Sequence, residues 1–433
     1  MHVTRLLSQQ FKSIQHRPSL HDSIYDVCII GGGIIGLSCH RELLLRYPLL
    51  NTICIEKEDK LGQHQSTHNS GVIHAGIYYK QGSLRAKLCQ IGTRKLYEYC
   101  DQYNIPYKKC GKLIVALNEN EAKQIDVLYR RALDNGVHDV IIHESSAAIN
   151  RVEPNISGIR ALESPSTGII NFDSVVNSYA QNVHDMNGTI VTEFNVHNVE
   201  YINDDVHGKY IQIYDTLGHS IRARHVLCAG GLYSDKLADV FGSTNKTQII
   251  PFRGVWLKMN KQYNNLIQRN IYPIPNPAFP FLGIHMTPRL DGSIYIGPNA
   301  SLAFAREGYK FTSINLSELY NSLLHPGLRQ MIYKHYKFGI NEYLCELLPK
   351  QYTLPLLQQY CPSATWSMID GVESGVRAQV MNNDGTLVED FIIDQQNDHV
   401  VHLRNAPSPA ATSSLAIAEI VIDRCVDAFQ LSH

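Results

Sequence analysis

Three glycines and one acid are the residues of this chain whose spacing points most directly to chemistry. Gly31, Gly33 and Gly36 stand in a G-x-G-x-x-G pattern, and Glu56 follows Gly36 by 20 residues. Such a set suits a dinucleotide. The first glycine makes a tight turn, the second lets backbone approach a pyrophosphate, and the third lets helix and strand pack closely. The phosphates then meet the N–H groups of Gly33, Ile34 and Ile35 at the positive end of a helix dipole. Glu56, followed by Lys57, is placed to accept hydrogen bonds from an adenosine ribose and disfavours a 2′-phosphate.

The elements around this set have to be strand, helix and strand. Tyr25–Ile30 is an apolar run, Leu37 to about Arg46 has helical pattern and is stopped by Pro48, and Thr52–Glu56 reads as a second strand. Residues 25–56 therefore form a βαβ unit. The second strand runs into a polar loop, Gly62–Tyr79, rather than into further βα units, which favours a flavin that stays bound over a nicotinamide. The later segment His225–Gly231 is an apolar strand ending in small residues, with Ala229 and Gly230 placed for a second backbone approach to the nucleotide.

Length and composition bound the rest. At 433 residues with 44% hydrophobic and 18% charged residues, the chain predicts two or three globular domains. A net charge of −1 argues against nucleic acid as a partner. No apolar run approaches the ~18 residues of a membrane span. The ten cysteines form no C-x-x-C pair, so free thiols are expected, with no disulfide framework and no metal. Residues 1–22 carry Arg5, Lys12 and Arg17, have no acid before Asp22, and place Val3, Leu7, Phe11 and Ile14 at helical spacing, the composition of a mitochondrial targeting segment.

Several blocks resemble the L-2-hydroxyglutarate dehydrogenase family in the right order from about Tyr25 to the C-terminus: Asn69–Lys80, Cys110–Ala116, Pro251–Gly254, Phe281–Arg289, Asp291–Ser293, Gly297–Ala300 and Arg404–Thr412. Ser374–Arg377 and Ile73–Gly76 are similar to flavin-side stretches of glycerol-3-phosphate dehydrogenase. The resemblance implies an α/β fold of the D-amino-acid oxidase kind. Its Rossmann-type FAD-binding domain (24–108, 169–248 and 367–433) is interrupted by a substrate domain of mixed β-sheet plus helices (109–168 and 249–366). It further implies FAD against Asn69, Ser70, Gly71, Val72, His74, Arg377, Pro407, Ser408, Ala410, Ala411 and Thr412. The reaction implied is oxidation of (S)-2-hydroxyglutarate to 2-oxoglutarate in mitochondria, by hydride transfer from C2 to flavin N5, with a non-nicotinamide electron acceptor. A quinone and O2 are the two candidates.

That reaction needs a base for the hydroxyl proton and cations for the carboxylates. Arginine binds a carboxylate in two places while staying charged. Arg377 is the first candidate for the carboxylate next to C2, and Arg253 and Arg289 compete for the second. His285, in a strand pattern, and His74, in the flavin loop, compete as base. Tyr78 and Tyr79 are candidate hydrogen-bond donors to substrate. Helices are expected at Asn171–Met186, at about Leu316–Leu348 and at Ser413–Phe429, strands at Gly111–Leu117 and Arg253–Met259, and an extended proline-rich connector at Ile271–Pro277. Leu319–Asn341 lacks Asp and Glu and mixes Arg329, Lys334 and Lys337 with aromatic residues, a pattern suited to peripheral contact with an anionic inner-membrane leaflet.

Overall fold

The computed structural model describes residues 23–275 and 283–431. The targeting segment expected at 1–22 lies outside the described residues, as does Phe281–Leu282. The apolar run near the N-terminus becomes the strand Ile24–Ile30, buried on both faces because it is central in a parallel sheet. It pairs in parallel with Thr52–Ile55 on one side and Ser220–Cys228 on the other. Thr189–Val191 and Val400–Asn405 extend the parallel array at its two ends. Helices Ile34–Arg46, Phe172–Asp185 and Ser414–Phe429 cover one face through Leu37, Val175 and Ile417. On the other face, Ile211 and Ile213 of an antiparallel ribbon pack with Phe194, Leu237 and Phe241.

A second sheet of nine strands runs Ser301–Leu302, Ile249–Met259, Ile294–Gly297, His285–Pro288, Asn270–Pro273, Lys112–Ala116, Arg160–Ser164 and Ile141–His143, with Ile369–Val380 also on Ile249–Met259. Side chains alternate across it. Leu113, Val115, Ile271 and Met286 face Leu357 of helix Pro349–Tyr360. Ile114, Ala116 and Tyr272 face helix Glu119–Asp134 together with Ala75 and Ile77 of the polar loop. In the paired register Asn270 opposes Lys112 and Tyr272 opposes Ile114, so Lys112 shares the second face.

Four expectations need correction. The third flavin-domain segment was expected to open at residue 367, yet Ile369–Val380 pairs along almost its whole length with Ile249–Met259 in the second sheet. Asn270–Pro273 is a strand in parallel register with Lys112–Ala116, so the stretch expected as an extended connector begins inside the second sheet; its partner lies some 160 residues away, out of reach of local reading. The helical stretch expected at about Leu316–Leu348 is helical but comes in two pieces, Leu316–Leu324 and Pro326–Leu347, with Pro349–Tyr360 following. Pro326 and Pro349 have no N–H to continue a helix and instead open the next one. The Nδ1 of His325 caps the second by accepting from the Gly327 amide.

The fourth concerns Arg253, expected at the substrate. Arg253 opposes Val376 in the register and Phe252 opposes Arg377, so the two arginines point to opposite faces of the sheet. Arg253 is fully buried, and its Nε and Nη2 donate to Glu346 Oε1 and Oε2 at 2.9 and 3.1 Å. Its Nη1 donates to the Gly308 carbonyl at 3.1 Å. The guanidinium thus staples helix Pro326–Leu347 to the sheet. Arg253→Met strands the Glu346 carboxylate and should cost about 3–5 kcal/mol, read as a lower urea midpoint. Arg253→Met with Glu346→Leu should recover most of that loss.

Candidate flavin and substrate site

The glycine loop leaves the strand Ile24–Ile30 with Gly31 at φ +114°, a conformation that L side chains rarely adopt. A Cβ on Gly31 would stand 2.5 Å from the Ala229 carbonyl oxygen, and one on Gly36 only 1.9 Å from the Gly31 carbonyl. Gly33 differs. Its Cβ would meet nothing nearer than Ser66 Oγ at 3.2 Å, because this position opens on a cleft. Gly33 caps helix Ile34–Arg46 without a side-chain bond, and Leu37 is the first residue to donate back to it, at 3.0 Å. The amides of Ile35 and Gly36 therefore precede the intrahelical ladder and line the cleft, while Ile34 donates to Ser66 Oγ at 2.9 Å.

Glu56 is buried at the edge of the same cleft. Its carboxylate accepts from the Gly32 amide at 2.7 Å and the Glu58 amide at 3.0 Å, which fixes it beside the loop. Lys57 also lines the cleft, but its ammonium is held by Glu58 and by Glu307 and lies 5.1 Å from the centre of the Tyr233 ring. Glu58, His64 and Glu307 could converge on a cation, but Lys57 already supplies positive charge to that group. Ala229, Gly230, Ala410 and Ala411 bring small side chains to the opposite walls.

The expected flavin-side loop is tied to the C-terminal loop. Thr412 Oγ1 accepts from the His74 amide at 3.2 Å and donates to the Val72 carbonyl at 3.3 Å. Asn69 closes its own turn by accepting from the Gly71 amide at 2.8 Å. Arg289, the other arginine considered for a carboxylate, donates to the Ser70 carbonyl at 2.6 Å and so serves as a brace for this loop. Ser408 offers its carbonyl to Arg85 Nε at 3.0 Å, in the loop that Pro407 opens before helix Ser414–Phe429.

On the face of the second sheet that looks toward this loop, one cluster gathers His74, Tyr78, Tyr272, His285, Lys112 and Arg377. The His285 ring stacks on Tyr272 with centroids 4.0 Å apart, and its Nδ1 lies 3.1 Å from the Gly283 carbonyl. Lys112 Nζ lies 4.2 Å from the Tyr272 ring centre and 5.1 Å from that of Tyr78. The Tyr78 hydroxyl is buried without a hydrogen-bond partner among the described residues. Burial, reinforced by the charges of Lys112 and Arg377 and opposed by the Gly283 carbonyl, pushes His285 down to about 3. Burial and then the neighbouring Lys112 also hold His74 well below the ordinary histidine range. Both rings are neutral at pH 7. Burial lowers Lys112 to about 8 and Arg377 to about 10, the latter opposed by Glu342.

Sequence reading missed Ser66, Gln65, Tyr272 and Lys112. Gln65 and Ser66 sat inside a polar loop with no periodicity to mark them, yet Gln65 Oε1 accepts from Ala378 at 2.9 Å and ties that loop to the second sheet. Lys112 had a usable signal, since it opens a strand whose other residues are all apolar.

The glycine cradle, the uncapped helix start and the fixed Glu56 fit FAD, and the amides of Ile35 and Gly36 with the Glu56 carboxylate would hold its pyrophosphate and ribose. Gly33→Val should place a branched side chain in the phosphate path. The purified variant should carry far less than one flavin per chain by absorbance and should bind added FAD at least ~100-fold more weakly in a fluorescence titration, with the helical circular dichroism of the parent retained.

Residues 26–424 match the family model described as FAD dependent oxidoreductase. The chain is 44% identical to L-2-hydroxyglutarate dehydrogenase, mitochondrial, of Nematostella vectensis, covering 99% of this chain and 96% of the relative. It is 42% identical to the Homo sapiens protein of the same name, covering 95% and 91%. Among solved structures, FAD-bound L-alpha-glycerophosphate oxidase from Mycoplasma pneumoniae superposes with a TM-score of 0.74 at 23% identity, over 93% of this chain and 95% of that one. Glycine oxidase from Bacillus cereus superposes with a TM-score of 0.66 at 17% identity, over 93% and 95%. The chain therefore belongs to the FAD dependent oxidoreductases and, within them, to the L-2-hydroxyglutarate dehydrogenase family.

Proposed function

We propose that this enzyme oxidises (S)-2-hydroxyglutarate to 2-oxoglutarate on the matrix side of the mitochondrial inner membrane and passes the electrons to a quinone. The substrate reading is carried by identity of 44% along 99% of the chain to a relative named for that acid and for the mitochondrion. The cluster on the second sheet supplies what the chemistry demands. Bound FAD supplies the hydride acceptor. Arg377 holds the carboxylate next to C2 through its planar fork. His285, with Nδ1 donating to the Gly283 carbonyl, leaves a lone pair on Nε2 to take the hydroxyl proton, and its depressed basicity keeps that lone pair available at neutral pH. Tyr78 offers a hydroxyl donor to the substrate, and His74 stands on the flavin side, held through its backbone amide. The neutral state of both histidines removes two positive charges that would otherwise repel each other in a dry site.

Quinone as acceptor is supported by the outer helices. Tyr320, Leu323, Leu324, Ile332, Tyr333 and Tyr336 are exposed there, Tyr333 by 84% and Tyr320 by 63%. Lys334 and Lys337 lie among them in sequence, a combination suited to an anionic leaflet. No helix among the described residues is long and apolar enough to cross a membrane, so the contact proposed is peripheral.

Anaerobic addition of (S)-2-hydroxyglutarate should bleach the flavin band near ~450 nm with one two-electron equivalent per flavin; bleaching only by an amino acid or glycerol phosphate would refute the substrate. In Arg377→Ala, flavin should stay bound while KM rises at least ~30-fold, from the roughly 2–5 kcal/mol lost when a buried charge pair is broken. For the acceptor, the protein should co-sediment with cardiolipin-containing vesicles and reduce a quinone analogue far faster than O2. Leu323→Glu with Tyr333→Glu should abolish sedimentation without altering anaerobic bleaching, and peroxide as the main product would point to an oxidase instead.

A further inference from the structure

Lys112 is the cation of the substrate-side cluster that the mechanism above leaves without a task. It is only 2% exposed, at the start of a strand buried along its full length. An ammonium taken out of water costs several kcal/mol when it is not neutralised. The groups facing it are the rings of Tyr78 and Tyr272, the imidazoles of His74 and His285, and the thiols of Cys89 and Cys110. Aromatic faces stabilise a cation only weakly beside that cost, and no salt bridge joins Lys112 to a carboxylate among the described residues. Arg377 differs, because Glu342 acts on it.

The cluster is therefore richer in positive charge than its own acids can match. His285 feels the charges of both Lys112 and Arg377, and the Tyr272 ring on which it stacks lies beneath Lys112 while also within range of Arg377. The stacked pair Tyr272 and His285 thus forms a floor reached by two cations, which stand on different strands of one sheet face. A carboxylate held by Arg377 leaves Lys112 for a second anion. We propose that Lys112 holds the distal carboxylate of the substrate, so that Lys112 and Arg377 together select a dicarboxylic 2-hydroxy acid over a monocarboxylic one. This rests on the substrate reading above and assigns its second carboxylate, a role that Arg253 and Arg289 are too firmly engaged elsewhere to take.

The test compares the wild-type holoenzyme with Lys112→Met and Lys112→Arg, using (S)-2-hydroxyglutarate and (S)-2-hydroxypentanoate, in which a methyl group replaces the distal carboxylate. Binding of glutarate, followed by perturbation of the flavin spectrum, reports recognition without turnover. Lys112→Met should lose about 100-fold in kcat/KM for the diacid and in glutarate affinity, while the monoacid changes by less than about threefold. Lys112→Arg should keep the preference for the diacid. Because an ammonium is charged below its pKa, wild-type kcat/KM for the diacid should fall as pH rises past about 8. Lys112→Arg should carry that fall to higher pH, and the monoacid profile should lack it. Equal losses on both acids in Lys112→Met, or an undiminished preference for the diacid, would overturn the assignment while leaving the proposed function standing. A wild type that neither binds glutarate nor is reduced by the diacid would bring down both.

Discussion

Contact between bare stretches of backbone is the constraint on which the rest of this structure depends. A Cβ on Gly36 would collide with the Gly31 carbonyl, and one on Gly375 would stand 2.4 Å from the His68 carbonyl. The first contact seats the helix start against the nucleotide strand, leaving amide groups directed at a cleft. The second seats the strand bearing Arg377 on the loop that precedes His74. One glycine approach makes the cofactor cradle, and the other sets the distance between cofactor loop and substrate sheet. Both are distances that no side chain can mediate, which is why the polar groups around them, Gln65, Ser66 and Arg289, all bond to backbone.

The electrostatics of the enclosed cluster follow from that seating. With water excluded, histidines become neutral, a lysine loses much of its basicity, and even an arginine is pulled down. The consequence is a division of labour set by burial more than by residue type. The imidazoles carry no charge, while Lys112 and Arg377 are left as the cations of the cluster. Arg253 shows the converse. It lies one position out of register with Arg377, and the alternation of the strand turns it away into an ion pair with Glu346.

The outer helices answer to a different constraint. Proline breaks at 326 and 349 divide what would have been a single rod, and several large apolar residues on the pieces remain exposed. A rod would present its apolar residues along one line, whereas the broken arrangement spreads them over a surface next to the substrate sheet, to which Glu346 anchors it. Such a surface has the character expected of a protein that works at an interface.

The sequence alone determined the nucleotide unit, because glycine spacing, a strand-to-helix turn and a terminal acid act within about thirty residues and are local in their physics. It also named Arg377, His74 and His285 as candidates, through blocks whose resemblance to a known family runs in order along the chain, and the fold brings the three into one buried cluster. What only the tertiary structure decided was which face each residue occupies. The register of Ile249–Met259 against Ile369–Val380 separated Arg253 from Arg377, and the parallel pairing of Lys112–Ala116 with Asn270–Pro273 brought Lys112 to Tyr272 and His285. Strand partners more than a hundred residues apart are chosen by hydrogen bonding and burial in the assembled sheet, and a shift of one residue reverses every side chain. No local pattern carries that information, so Arg253 and Arg377 could be named from the sequence while Lys112 was not, and only the fold separated the arginine that staples a helix from the cations that share the buried cluster.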